Sequence, residues 1–167
     1  YPRAVSPFLR LSSPLVHPPF RSRPARPTDH ALFAAFLVEL HTDDPVPAPE
    51  RWEREMMPST FFLEDVADAD RERANATRTG NFPAGPTVGY AFVEEYGERG
   101  YVRHVVVHPA HRGRGVGRAL MHEIAARLRH AGARRWELNV KRDNVPAIRL
   151  YESCGMREQY STHVMRL

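Results

Sequence analysis

The sequence predicts a mixed α/β domain built around one central sheet. Three observations predict it. Residues 87–96 (TVGYAFVEEY) and 101–107 (YVRHVVV) are rich in apolar and β-branched side chains and flank a Gly-Glu-Arg-Gly turn, the pattern of a strand hairpin. Apolar residues then recur at helical spacing over 115–130. After that, strand-like and helix-like segments alternate to the end of the chain. A chain of 167 residues can bury one core without disulfides or metals.

Pro2, Pro7, Pro14, Pro18, Pro19, Pro24 and Pro27 crowd the start. Proline removes donors and blocks helix, so residues 1–19 read as a proline-rich extended arm, with no packed element before Phe20. Residues 20–167 then form the folded domain. Residues 20–26 suit a short edge strand, which tolerates proline. Thr28-Asp29 predicts a helix cap, and Ala31, Phe33, Ala34, Phe36, Leu37 and Leu40 a broad apolar face behind it. A loop with Asp43 and Asp44 follows. Residues 49–57 predict a second, short helix broken by Pro58-Ser59, and 60–65 (TFFLED) a strand. Residues 68–86 are polar and predict a long exposed loop. After the hairpin, Val116, Leu120, Ile124 and Leu128 fall on one stripe of the 115–130 helix, which Gly132 ends. Residues 135–140 predict a strand, 144–153 a helix, and 156–160 and 162–167 closing strands.

The net charge is +4 and the pI about 9.6, which suits a phosphate-bearing ligand and equally a nucleic-acid surface. Nearly all basic residues are arginine; Lys141 is the only lysine. The sole cysteine, Cys154, cannot form an internal disulfide, which fits a reducing compartment and a cytoplasmic location. No stretch approaches the ~20 apolar residues of a membrane span, and the opening residues lack a signal-peptide pattern. No membrane partner and no metal are expected.

The most informative segment is HPAHRGRGVGRAL, residues 108–120, between a strand and a helix. Glycine lets backbone approach a ligand, and a helix N-terminus offers N–H groups and positive potential. Gly113, Gly115 and Gly117, with Arg112, Arg114 and Arg118, are therefore shaped for an anion, and a pyrophosphate is the usual occupant. A Walker loop would need Gly-Lys-Ser/Thr, which is absent. A dinucleotide fingerprint would need its third glycine where Arg118 stands, although Glu137 sits where a ribose-binding acid would. A tight turn that binds nothing has the same composition.

This segment resembles the acyl-CoA-binding motif of the GNAT superfamily of N-acetyltransferases, Arg/Gln-x-x-Gly-x-Gly/Ala, through Arg112, Gly115 and Gly117. A second motif agrees: NVPAIRLYESCGM, residues 144–156, resembles the family's Asn-x-x-Ala-x-x-Leu-Tyr-x-x-x-Gly-Phe through Asn144, Ala147, Leu150, Tyr151 and Gly155, with Met156 for the phenylalanine. The resemblance is strong over 102–156 and absent before Phe20. It implies a mixed, mostly antiparallel twisted sheet flanked by about four helices and splayed at the cofactor site. It implies transfer of an acetyl group from acetyl-CoA to a primary amine by direct attack. Val105, Val106 and Val107 would pair through their backbone with the pantetheine arm, and an amide there would polarise the thioester. Amides of 113–118, Val116 included, would hold the pyrophosphate, and Asn144 would lie beside the arm.

Tyr151 would be the general acid for the leaving thiolate; its bland reading is a core tyrosine. Cys154 reads as packing rather than as a nucleophile. Many relatives carry a glutamate near 102–105. Here Arg103 and His104 stand there, so His104, or Glu94 or Glu95 on the neighbouring strand, is the candidate base. Others use a glutamate where Asn139 stands. Glu39, Asp43, Asp44 and Trp52 are offered to the acceptor entrance, where carboxylates would attract a cationic amine. The rival readings are a non-catalytic acyl-CoA-binding module and, less favoured, a nucleic-acid-binding protein. A homodimer is compatible with the resemblance.

Overall fold

The computed structural model describes residues 2–7, 20–42, 44–66 and 86–161. Its strands are β1 (Pro2–Pro7), β2 (Phe20–Pro24), β3 (Thr60–Asp65), β4 (Thr87–Tyr96), β5 (Arg99–Val107), β6 (Arg135–Asn139) and β7 (Arg157–Ser161). Its helices are α1 (His30–Val38), α2 (Pro49–Arg51), α3 (Val116–His130) and α4 (Val145–Ser153). The mixed α/β class and the mostly antiparallel pairing follow the expectation. The chain divides into two compact bodies, Val16–Phe92 with His104–Leu120, and Tyr1–Leu15 with Val93–Arg103 and Met121–Leu167. Strands β4 and β5 and helix α3 contribute residues to both.

In the first body β2 pairs antiparallel with β3, from Phe20↔Asp65 to Pro24↔Phe61, and β3 antiparallel with β4. Strand β2 lies at the sheet edge, where its proline costs no ladder bond. Phe33, Phe36 and Leu37 give α1 one apolar face, and they pack with Trp52, Phe62, Tyr90, Phe92 and Val106. Phe33, Phe36, Phe62 and Tyr90 form ring pairs 5.5–6.4 Å apart. Burying each such ring stabilises by about 2–3 kcal/mol relative to leaving it in water.

Asp29 does not cap α1 through its side chain. Its carboxylate is instead held by the Arg23 guanidinium at 2.7 and 3.0 Å and by the Arg26 amide at 2.7 Å, at the head of a 3-10 turn. Arg23 also bonds Glu64 at 2.5 Å and lies over the Phe62 ring. The second predicted helix is real but irregular. After α2 the chain takes a π-helical turn, Trp52–Met56, and a 3-10 turn, Met57–Ser59, started by Pro58. That arrangement brings Trp52 wholly inside.

In the second body β5 runs parallel to β6 from Arg99↔Arg135 to Val102↔Leu138. The register ends at Val102, and β5 runs on to Val107. Helix α3 buries Ile124 and Leu128, and Trp136 and Leu138 of β6 are buried as well. The approach is close at Gly100, where a β-carbon would stand 2.4 Å from the Leu128 side chain.

The expectation of no element before Phe20 is overturned. Pro2–Pro7 is a strand between β6 and β7, antiparallel to both, from Arg3↔Asn139 to Pro7↔Arg135 on one side. Its prolines stand at its two ends, so the residues between keep their amide donors, and proline's fixed φ suits extended chain. Asp43, the loop expected before Pro86 and the strand expected over 162–167 lie outside the described residues.

Candidate functional site

The site is built up from the end of β5. His108 caps a 3-10 turn, Pro109–His111, by accepting the Ala110 amide at 3.1 Å, and His111 is buried beneath it. The chain then turns through Gly113 (φ 75°) and Gly115 (φ 83°), both in the left-handed region where a side chain is strained. A β-carbon at either would meet nothing within 4 Å. The glycines are thus demanded by the backbone path, not by packing. Val116, 1% exposed, anchors the loop at the first residue of α3. Arg112, Arg114 and Arg118 are exposed around it, and Gly117 is half-buried in the first turn. An open loop, positive side chains and the positive end of a 15-residue helix fit a bound anion.

Within the same body, Val106 is buried and Val105 and Val107 are half-buried. The Arg112 guanidinium bonds the Glu39 carboxylate at 2.6 Å and the Val107 carbonyl at 3.4 Å. His104 is half-buried in an aromatic setting. Its ring stacks on Phe33, with Tyr90 and Phe92 edge-on. Its Nδ1 is 2.9 Å from the Tyr90 hydroxyl. Burial pushes the Tyr90 hydroxyl far above the ordinary tyrosine pKa, so it keeps its proton. The hydroxyl and Nδ1 are hydrogen-bonded, and the imidazole tautomer sets which of them donates.

The second body holds the other candidates. Glu94 is already committed: its Oε2 accepts from Arg103 Nε and from the Tyr96 hydroxyl at 2.9 Å. Glu95 is exposed. Asn144 caps α4, accepting the Ala147 amide at 3.3 Å, with proline in the first turn. Tyr151 is 8% exposed, and burial, with a smaller contribution from Cys154, pushes its hydroxyl up to about 12. Cys154 is buried beside it in the sequence and in packing.

Two acceptor-side expectations change. Trp52 is 0% exposed and its Nε1 has no hydrogen-bond partner among the described residues, so it is core and lines no entrance. Glu39 is not an open carboxylate, because Arg112 neutralises it. Tyr90 and the Glu39–Arg112 pair were not singled out from the sequence. Glu39 and Arg112 are 73 residues apart, and no local pattern joins them.

The profile described as Acetyltransferase (GNAT) family matches residues 35–156. An uncharacterised protein of Mycobacterium leprae is 40% identical over 107 residues, covering 58% of this chain and 29% of that protein. The structure of a GCN5-related N-acetyltransferase from Sphaerobacter thermophilus superposes with TM-score 0.62 at 23% identity, covering 95% of this chain and 48% of that one. A Mycobacterium tuberculosis protein crystallised with CoA superposes with TM-score 0.60 at 16% identity, covering 87% of this chain and 76% of its own. These two structures are similar in fold. The chain spans less than a third of its leprosy-bacillus relative and about half of the Sphaerobacter chain.

Proposed function

Because this chain belongs to the acetyltransferase (GNAT) family, we propose that it moves the acetyl group of acetyl-CoA to a primary amine of a small molecule or a protein. The observation that carries the proposal is the open turn at Gly113 and Gly115, which leads into α3 among three arginines. Residues 20–167 are the proposed catalytic domain. Cys154 as a free thiol supports a cytoplasmic setting.

In the proposed binding mode the amides of 113–118 and the side chains of Arg112, Arg114 and Arg118 take the pyrophosphate. The backbone of 105–107 pairs with the pantetheine arm, beyond the point where the β5–β6 register ends. Asn144 is proposed beside that arm. CoA supplies the activated acyl group as its thioester. A neutral amine attacks the carbonyl carbon; a C–N bond forms, the C–S bond breaks and the amine loses a proton. An aliphatic amine with a pKa of ~10.4 is mostly protonated at neutral pH, so a base or water must relieve it first. His104 is the base proposed ahead of Glu94, whose oxygen is ion-paired with Arg103. For Nδ1 of His104 to take the proton, the Tyr90 hydroxyl must first release that nitrogen. Tyr151 holds its proton throughout the physiological range and donates it to the sulfur as negative charge develops there.

A second reading, a non-catalytic acyl-CoA-binding module, draws support from the committed Glu94 carboxylate. Thermal shift with acetyl-CoA, CoA and NAD, followed by an amine screen for CoA release, separates the two. A ligand at 100 times its dissociation constant adds ~2.7 kcal/mol, about 5–10 °C for a domain of this size. Stabilisation by both CoA species but not by NAD, with amine-dependent CoA release, supports the transferase. Stabilisation without turnover supports the binding module. No shift with either CoA species overturns both, and nucleic acid is then the ligand to test.

A further inference from the structure

We infer that Glu39 is a reversible counter-ion of Arg112: it holds the guanidinium before the cofactor binds, and is released to receive a cationic acceptor once the cofactor's phosphates take Arg112. The inference rests on the proposed function and assigns the acceptor's chemical class. Arg112 Nη2 and Glu39 Oε2 are 2.6 Å apart, with the arginine side chain 53% exposed and the glutamate 21%. The arginine belongs to the glycine loop, and the glutamate ends the helix that follows the N-terminal edge strand.

The position of Glu39 is what makes the pair informative. Glu39 is the C-cap of α1, at the negative end of the helix dipole, and α1 has no basic residue in its last turn. A carboxylate there is on the unfavourable end of the dipole. The cation that offsets it comes from 73 residues away, out of the loop proposed to bind phosphate. The pyrophosphate brings two charges, one on each phosphoryl group, where Glu39 brings one, and the guanidinium fork fits phosphate oxygens as well as it fits a carboxylate. Once Arg112 turns to phosphate, Glu39 is a half-buried carboxylate at a negative helix end, without its cation. An ammonium group is the ligand that relieves it. Cofactor and cationic acceptor thereby help each other bind, and by linkage the help is reciprocal.

The test uses the whole chain, CoA and 1,4-diaminobutane. Calorimetry should show Glu39→Gln binding CoA about three- to fivefold more tightly than wild type, the size of one exposed ion pair. The diamine should raise the melting temperature of the CoA-saturated wild type but not of the protein alone. That CoA-dependent increment should vanish in Glu39→Gln. Equal CoA affinity in the two proteins overturns the release of Glu39. A diamine shift that ignores CoA, that persists in the variant or that never appears overturns its acceptor role. Failure of the wild type to bind CoA is a different result, and it overturns the functional reading on which the inference rests.

Discussion

The loop over 112–118 and the cluster around His104 lie in the same body and recognise by opposite means. The loop presents backbone: Gly113 and Gly115 have no neighbour within 4 Å of a would-be β-carbon, and its arginines are exposed. The cluster presents side chains: His104 is fixed by Phe33, Phe92 and the hydroxyl of a wholly buried Tyr90. A substitution in the loop should therefore change binding and leave the fold nearly intact. A substitution in the cluster should change chemistry and stability together.

Gly115→Glu puts the largest expected effect on this contrast. It sets a side chain and a negative charge in the phosphate site, and CoA affinity should fall by ~100-fold or more. The same residue has open space and a φ of 83°, so stability without ligand should drop by only the ~1 kcal/mol that left-handed backbone costs a side chain, a fall of about 2–4 °C in melting temperature. Calorimetry and melting together check it. A variant that binds CoA normally would break the assignment of the loop. A variant that unfolds would break the contrast.

Tyr151→Phe comes next. The ring stays and the hydroxyl goes, so turnover should fall by about 10- to 100-fold while CoA affinity holds. Because burial pushes this hydroxyl up to about 12, its deprotonation lies above the usual assay range. The rate should show no descending limb from Tyr151 below about pH 10. Such a limb that disappears in the phenylalanine variant would show an acid much less buried than this one.

Much of this was legible because it is local. Strand β4 matches its predicted residues, 87–96, since apolar and β-branched side chains run through it. The stripe Val116, Leu120, Ile124 and Leu128 predicted the buried face of α3, and all four are at most 1% exposed. The glycine loop could be read because its chemistry is backbone at fixed spacing. Strand β1 could not, because Arg3 to Ser6 show no periodicity and their partners stand more than a hundred residues away. Neither could the pairing of Glu94 with Arg103 or of His104 with Tyr90, since side-chain partners depend on strand register. The π-helical turn that buries Trp52 leaves no mark in a helical pattern.

Tyr90→Phe sharpens the packed half of the contrast. The hydrogen bond to Nδ1 is lost and the ring packing is kept, so stability should fall by about 1 kcal/mol. If His104 is the base, the ascending limb of the pH–rate profile should move, and His104→Ala should abolish it. A profile unmoved by Tyr90→Phe but abolished by His104→Ala would keep the base and discard the role of Tyr90. A profile intact in both would return the role to Glu94 or Glu95.

The smallest expected effect belongs to Glu64, at the packed edge where β2 meets β3. Burial raises the carboxyl's pKa, but hydrogen bonds from Arg21 and Arg23 outweigh it, and the net value lies below 4.5. A carboxylate whose folded pKa is below its unfolded one contributes stability that is complete above the unfolded value. That contribution is lost as pH falls below about 4.5 and through the folded pKa. Glu64→Gln should therefore melt somewhat lower than wild type at pH 7, and the two curves should converge as pH falls. Gly115→Glu, at a position with nothing within 4 Å of a would-be β-carbon, should leave the existing acid limb in place. Parallel acid limbs for wild type and Glu64→Gln would mean that Arg23 holds Asp29 with no help from Glu64. The ion cluster at the edge of β2 would then belong with the exposed loop rather than with the packed core.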